Sequence, residues 1–164
     1  MLVHTMTAEE TEGFGAQLAS ARPARDDIFS VVYLTGDLGA GKTTLTRGFL
    51  RELGVTGAVR SPTYTLVEIY ETGALTALHL DLYRLSDPTE LDNLGLREWA
   101  GGGHLWLVEW PERGSDRLPD ADLIVRLTAG DDRHDIELTA RSALGVSWLE
   151  RVAALVEAVE KHPP

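Results

Sequence analysis

The chain has 164 residues, of which 43% are hydrophobic and 25% are charged, and these proportions are typical of a single globular domain covering residues 1–164. Its formal net charge of −11 opposes the binding of nucleic acid by the chain alone, because an acidic protein repels phosphate polymers. No apolar run approaches the roughly 20 residues of a membrane span, and the absence of cysteine excludes disulfides and thiolate metal sites. We therefore expect a cytoplasmic protein without a membrane partner.

The first third of the chain predicts a helix, a buried strand and a second helix. Thr7 begins a capping-box pattern, and the helix that follows it is expected to end before Pro23. The apolar, β-branched run 28–34 is typical of a strand that is buried on both faces. A glycine-rich turn at 36–41 follows, and apolar residues at helical spacing then predict a helix that ends at Gly54. Strand, glycine turn and helix form the first half of an α/β unit.

The middle of the chain predicts further strands. Segments 64–70 and 75–83 are strand-like and are joined by a short turn, which indicates a hairpin. In the second segment the alternation of a strand puts His79 and Asp81 on the same face. The segment 104–110 is another apolar strand with an acidic residue near its end.

The last part of the chain predicts a second hairpin and a final helix. Apolar residues alternate in 123–127 and 136–138, on either side of a Gly-Asp-Asp turn at 130–132. An apolar stripe at helical spacing marks the final helix and consists of Leu149, Val152, Val156 and Val159. Between the two hairpins, a short helix is expected after Asp87-Pro88.

The turn at 36–43 has the phosphate-loop pattern G-x-x-x-x-G-K-[ST], in the form Gly36-Asp37-Leu38-Gly39-Ala40-Gly41-Lys42-Thr43. Its context is also right, because a buried strand precedes it and a helix follows. The glycines let backbone N–H groups converge on phosphate oxygens, and the helix N-terminus adds a partial positive charge. We expect Lys42 to reach the β- and γ-phosphates and the Thr43 hydroxyl to hold Mg²⁺. An ordinary glycine turn with a solvated lysine is the weaker alternative.

A phosphate loop also needs a carboxylate near the metal, at the end of a neighbouring strand. Asp81 and Glu109 are the two candidates, since each one terminates an apolar strand. A lone acid at a strand end is more often only solvated, but we expect at least one of these two to act. His79 shares a face with Asp81, and a single histidine there is expected to be packed and hydrogen-bonded rather than a catalytic base.

Several classes of phosphate-loop protein remain after this step. Guanine-specific GTPases read the base with an Asn-Lys-x-Asp segment, which this chain lacks, so ATP is favoured. A small-molecule kinase is a second hypothesis, and its phosphate clamp would come from Arg84, Arg97, Arg113 or Arg117, although each of these could equally form a surface ion pair. A nucleotide-sensing binding module with negligible turnover is a third hypothesis.

Three further segments accompany the phosphate loop, which itself extends to Thr44. They are Ser61-Pro62-Thr63-Tyr64-Thr65-Leu66-Val67, then His79-Leu80-Asp81-Leu82-Tyr83-Arg84-Leu85, and then Leu107-Val108-Glu109-Trp110-Pro111-Glu112. In this order and spacing the four blocks resemble the bacterial TsaE (YjeE) family, and the resemblance extends from about Thr7 to about Leu138. The four blocks together are very specific, whereas any one of the last three alone would be weak.

This resemblance implies an α/β fold of the P-loop NTPase-like, three-layer type with a mixed parallel and antiparallel sheet. It also implies slow, Mg²⁺-dependent hydrolysis of ATP. The family acts with TsaB and TsaD, which transfer the threonylcarbamoyl group from the adenylate made by TsaC to the adenosine beside the anticodon of ANN-reading tRNAs. Because the chain is acidic, we expect its contact with tRNA to be indirect.

The resemblance further implies roles for single residues. The loop from Gly36 to Thr44 would bind the nucleotide, with Lys42 on the phosphates. Thr43 and Glu109 would hold the metal, and Asp81 would be a supporting catalytic acid.

It also implies a switch-like loop, formed by Ser61 to Thr65, that faces the γ-phosphate. Trp110 follows the metal-binding acid as it does in the family. The helix cap at 7–11 and Arg133 are expected near the edge of the nucleotide.

Overall fold

The computed structural model describes residues 1–23, 27–73, 75–130 and 133–161. Its strands are β1 (Leu2–Thr5), β2 (Ser30–Thr35), β3 (Val67–Glu71), β4 (Thr76–Asp81), β5 (His104–Glu109), β6 (Leu123–Ala129) and β7 (His134–Ala140). Its α-helices are α1 (Ala8–Ser20), α2 (Lys42–Glu52) and α3 (Ala143–Lys161). Short 3₁₀ helices cover Pro88–Leu94, Leu96–Trp99, Pro111–Arg113 and Ser115–Arg117.

The strands of this described part form one sheet in the order β1-β7-β6-β2-β5-β4-β3. The central strands β6, β2, β5 and β4 are parallel, whereas β3, β7 and β1 pair antiparallel at the edges, which confirms the expected mixed sheet. In the register, Glu109 pairs with Leu34 on one side and with Asp81 on the other. The carboxyl ends of β2, β5 and β4 therefore lie level, at the edge where ligands of open α/β sheets bind.

The sheet has a layer on each face. The α-helices cover one face through residues such as Phe14, Phe49 and Trp148. The other face of β2, β4 and β5 is covered by the 3₁₀ segments, with Leu91 and Leu96 in the same buried cluster as sheet residues. The expected three-layer arrangement is thus confirmed, but the second covering layer consists of 3₁₀ turns. In the described residues, no helix combines the length and apolar character needed to cross a bilayer.

Helices α1 and α2 pack very closely at two glycines. A Cβ atom added to Gly15 would lie 2.1 Å from the carbonyl oxygen of Leu45, and one added to Gly48 would lie 1.8 Å from that of Glu12. Such distances are possible only without side chains, so the two backbones are in direct contact. This contact fixes α2, whose first residue is Lys42.

Most predicted elements are present, with shifted ends. The Thr7 hydroxyl caps α1 by accepting from the Glu10 N–H at 3.1 Å, as expected. The first predicted hairpin is observed, but its strands are shorter. The first strand begins late because Leu66 adopts a φ of 64° and separates the loop before it from β3, and the second strand ends at Asp81. The edge strand β1 was not predicted. Of the predicted features, Asp131, Asp132 and the side chain of Val159 lie outside the described residues.

Candidate nucleotide-binding site

The loop between β2 and α2 has a backbone that only glycine adopts without strain. Gly36 has a φ of 133°, and a Cβ there would lie 2.1 Å from the carbonyl oxygen of Leu127. Gly41 has a φ of 101° and is the N-cap of α2, with no side-chain hydrogen bond to the first turn. The first N–H groups of α2 are therefore not capped by that residue, and such groups bind anions.

Lys42 is held inside this loop. Its side chain is only 4% exposed, and Nζ donates to the carbonyl oxygens of Gly36 at 2.6 Å and Asp37 at 2.7 Å. The ammonium also lies 4.1 Å from the ring centroid of Trp110, which is a cation–π distance. Burial lowers the pKa of Lys42, and the nearby carboxylate of Glu109 opposes this shift in part. The Lys42 ammonium is thus held against the backbone of the loop, where α2 begins.

Glu109 is a buried carboxylate that receives hydrogen bonds from two elements. The Thr43 hydroxyl at the start of α2 lies 2.9 Å from Oε1 and 3.1 Å from Oε2. Nε2 of His79 on β4 lies 2.8 Å from Oε1, and His79 is completely buried. The predicted Mg²⁺ ligands Thr43 and Glu109 are therefore hydrogen-bonded to each other. The structure also confirms that His79 is a packed, hydrogen-bonded residue.

Asp81 connects the predicted switch-like loop to the end of β4. Its Oδ2 accepts a hydrogen bond from the Ser61 hydroxyl and lies 3.5 Å from that of Thr63. Its Oδ1 accepts from the Tyr83 N–H at 3.0 Å. Hydrogen bonds to Asp81 therefore hold the loop that carries Ser61 and Thr63 at the cavity that the phosphate loop also lines.

A cavity of about 450 Å³ opens between these groups, which is within the usual range for small-molecule sites. It is lined by Leu38, Gly39, Gly41, Lys42, Thr43, Thr44, Ser61, Thr63, Asp81, Tyr83, Arg84, Glu109 and Trp110. Tyr83 was given no role from the sequence, and Arg84 was named only as a possible phosphate clamp under the kinase hypothesis. Their position after β4, which ends at Asp81, and within the third sequence block could have pointed to the site.

Some predicted site residues lie outside this cavity. Gly36 and Asp37 face a second cavity, which Trp110 also lines, and Ala40 is buried in the core. The remaining residues of the switch-like loop, which are Pro62, Tyr64 and Thr65, line a smaller adjoining cavity of about 240 Å³.

His134, which follows Arg133, and Thr11, at the end of the α1 cap segment, lie beside the phosphate loop. Nε of Arg133 lies 3.0 Å from Oδ1 of Asp135, and the next residue, His134, donates from Nδ1 to the Ala40 carbonyl at 3.1 Å. A methyl group on Gly41 would lie 3.5 Å from Cγ2 of Thr11. The structure thus brings both segments close to the loop, with the Arg133 side chain paired to an acid.

Residues 5–140 match the family model described as "Threonylcarbamoyl adenosine biosynthesis protein TsaE". The chain belongs to the TsaE family. It is 51% identical over 115 residues to the tRNA threonylcarbamoyladenosine biosynthesis protein TsaE of Haemophilus influenzae, a match that covers 70% of this chain and 73% of the relative. It is 43% identical over 137 residues to the Bacillus subtilis protein of the same name, with 83% of each chain covered.

A solved structure gives the same result. The crystal structure of Bacillus subtilis YdiB superimposes with a TM-score of 0.77 and 34% identity, over 95% of each chain. The P-loop NTPase-like α/β fold expected from the four sequence blocks is therefore confirmed. The resemblance to the TsaE family is confirmed as well, and the family belongs to tRNA threonylcarbamoyladenosine biosynthesis.

The structure of this TsaE-family chain separates the four arginines of the kinase hypothesis. Arg84 lines the cavity, and its guanidinium lies 4.7 Å from the ring centroid of Tyr64. Arg113 stacks on Tyr83 at 5.3 Å. Arg97 and Arg117 line a different cavity among the 3₁₀ segments, so they are not placed to clamp a phosphate at the loop.

The residues at the end of β5 and the start of α2 fit a magnesium ion that is bound together with a nucleotide. Within the described ranges, no group of three or more acidic or histidine side chains could hold a metal by itself. Mg²⁺ usually takes one or two protein ligands and completes its shell with waters and phosphate oxygens. The adjacent Thr43 hydroxyl and Glu109 carboxylate are suitable ligands of this kind.

Proposed function

We propose that this TsaE-family chain binds ATP with Mg²⁺ and hydrolyses it slowly, and that it serves the TsaB–TsaD transferase in the modification of ANN-decoding tRNAs. The observation that carries this proposal is the joint placement of Lys42, Thr43 and Glu109 at one cavity beside the phosphate loop. A phosphate loop with a cation and a metal-directing acid is the machinery of nucleoside triphosphate chemistry.

Different residues of the site bind the phosphates, hold the cation and orient water. Lys42 and the first N–H groups of α2 bind phosphate oxygens, which requires Nζ to leave the carbonyl oxygens that it now contacts. Thr43 and Glu109 hold the cation, which when bound neutralises charge that develops on the phosphates. Asp81 lies with Ser61 at the same cavity, where an acid can orient water.

We expect the chain alone to hydrolyse ATP slowly, because the arginine at its cavity is engaged by an aromatic ring. Arg84 is the arginine among the described residues that lines the cavity, and its guanidinium stacks on Tyr64. An arginine that a partner supplies can be worth ~10³ or more in rate. We therefore expect hydrolysis to accelerate when TsaB–TsaD docks and orders the loop around Ser61.

The partners follow from charge and from the family. A chain of charge −11 is expected to have little affinity for tRNA, so its contact is to the TsaB–TsaD proteins. TsaC acts upstream and makes the adenylate that the transferase consumes. Because this work takes place on tRNA, we assign the chain to the cytoplasm.

A small-molecule kinase is the second candidate, since Arg84 lies in the cavity with Lys42, as a phosphate clamp would. Measuring phosphate release from ATP, with and without TsaB–TsaD, separates the hypotheses, with Lys42→Ala as the control for contaminating ATPase. We expect slow release that TsaB–TsaD accelerates and Lys42→Ala abolishes. A kinase would need an added acceptor, and a nucleotide-sensing module would release no phosphate in either mixture.

A further inference from the structure

His79 is a buried polar residue that the proposed chemistry does not use. Its Nε2 lies 2.8 Å from Oε1 of Glu109, and because a carboxylate can only accept, Nε2 donates. In the parallel pairing of β4 with β5, His79 lies opposite Leu107, two residues before Glu109. The hydrogen bond therefore crosses diagonally between neighbouring strands, toward the end of the sheet where the cavity lies.

Packing alone does not account for a histidine at this position. Its neighbours in the strand, Leu78 and Leu80, are fully buried leucines. Nδ1 of His79 is also buried, and it has no hydrogen-bond partner among the described residues. Burial of an unpartnered polar atom is unfavourable, and leucine would fill similar space without it. The bond from Nε2 to Glu109 is the interaction that offsets this disadvantage.

The hydrogen bonds of Glu109 show what this donor does. Oε1 accepts from both His79 and Thr43, whereas Oε2 accepts from Thr43 alone among the described residues. Thr43 has a second task, because its hydroxyl is also a ligand for the cation. His79 is the donor that does not need to move when a cation binds.

We propose that His79 is a positioning residue for Glu109, whose carboxylate it holds in one orientation toward the magnesium–nucleotide complex. This inference rests on the proposed function and deepens it. His79 touches neither nucleotide nor metal, and its effect passes through Oε1 of Glu109. Partners that orient a metal ligand typically contribute 10–100-fold in metal affinity or activity.

Three substitutions of His79 test the proposal. His79→Gln keeps an N–H donor at about the reach of Nε2, His79→Asn has the same amide on a shorter chain, and His79→Leu has no donor. Leu78→Ala is the matched control, since Leu78 is equally buried on the opposite face of the same strand. For each protein we would measure urea unfolding, kcat and KM for ATP, and the Mg²⁺ concentration that half-saturates stabilisation by ADP.

We expect His79→Leu and His79→Asn to lower kcat by about 10–100-fold and to raise the half-saturating Mg²⁺ concentration, while binding of ADP without Mg²⁺ is unchanged. His79→Gln should have a kcat and a half-saturating Mg²⁺ concentration close to those of the wild type. Leu78→Ala should lose stability but keep wild-type Mg²⁺ dependence. If His79→Leu does not fold, the Gln and Asn variants still decide, because they differ in reach rather than in polarity.

A wild-type kcat and Mg²⁺ dependence in His79→Leu or His79→Asn would overturn the positioning role. So would a loss in His79→Gln as large as that in His79→Asn, which would make His79 a structural residue. Wild-type protein that neither hydrolyses ATP nor shows Mg²⁺-dependent stabilisation by ADP would overturn the proposed function itself. The two failures are therefore distinguishable.

Discussion

Replacing Gly48 by alanine tests the close contact of α1 with α2, which positions the phosphate loop. The new Cβ would lie 1.8 Å from the carbonyl oxygen of Glu12 and 2.7 Å from its carbonyl carbon. Both obstacles are backbone atoms, so relief requires helix α1 to move by more than about 1 Å, since contacts below 3.0 Å essentially never occur. Helix α2, which begins at Lys42, would be displaced relative to α1.

The size of the effect follows from two opposing contributions. Overpacking of this kind typically costs about 1–3 kcal/mol and occasionally more, while alanine gains about 1 kcal/mol of helix propensity over glycine. Because the overlap is with backbone, we expect the upper end of the penalty and a net loss of about 2 kcal/mol. For a chain of this length that lowers Tm by about 4–8 °C.

Gly13 provides the matched control on α1. A Cβ there meets nothing within 4 Å, so Gly13→Ala should gain about 0.5–1 kcal/mol in the free energy of unfolding. Urea unfolding followed by far-UV circular dichroism measures both variants. The glycine-to-alanine change is therefore expected to lower the free energy of unfolding at position 48 and to raise it at position 13. A neutral or stabilising Gly48→Ala would show that the helices do not approach as closely as described.

Three further predictions concern the site and its surroundings. ATP and ADP with Mg²⁺ should raise Tm well beyond GTP at matched concentration, since a ligand at ~100 times its Kd stabilises by about 2.7 kcal/mol; equal shifts would contradict the choice of nucleotide. Glu109→Ala should weaken Mg²⁺-dependent nucleotide binding and hydrolysis together, whereas Asp81→Ala should mainly lower kcat; unchanged hydrolysis in both would leave them as strand-end acids. Burial, with a smaller effect of the Asp120 charge, raises the pKa of Tyr33 to about 12, and its hydroxyl donates to the Pro119 carbonyl at 2.6 Å. The unfolded chain therefore ionises first, so the free energy of unfolding should fall as pH rises from about 10 to 12. Tyr33→Phe should flatten that fall in urea titrations, and an equally steep fall would refute the assignment.

The phosphate loop and the central strands were predictable because their signals are local. Glycines at fixed spacing and a following lysine encode a loop conformation, and runs such as 104–109 are apolar on both faces of a parallel strand. The capping residue Thr7 likewise acts within four residues of itself. Such features do not depend on how distant parts of the chain meet.

The features that were missed depend on tertiary contacts. Strand β1 is short and has Leu2 and His4 exposed, so it lacks an apolar pattern and forms through pairing with β7. The bond from His79 to Glu109 depends on the register between β4 and β5, which sequence periodicity cannot supply. The alternation of residues predicted only that His79 shares a face with Asp81.

Repeated tRNA modification by the reconstituted TsaB–TsaD transferase, with Lys42→Ala in place of the wild-type chain, tests the central claim most directly. If the chain serves TsaB–TsaD by hydrolysing ATP, as we propose, nucleotide turnover at this phosphate loop should allow the transferase to act more than once. The assay counts modified tRNA per transferase over time, with ATP, Mg²⁺ and the threonylcarbamoyl-adenylate supplied. We expect many rounds with wild type and at most about one round with the variant, while full multiple-turnover activity with Lys42→Ala would contradict the claim.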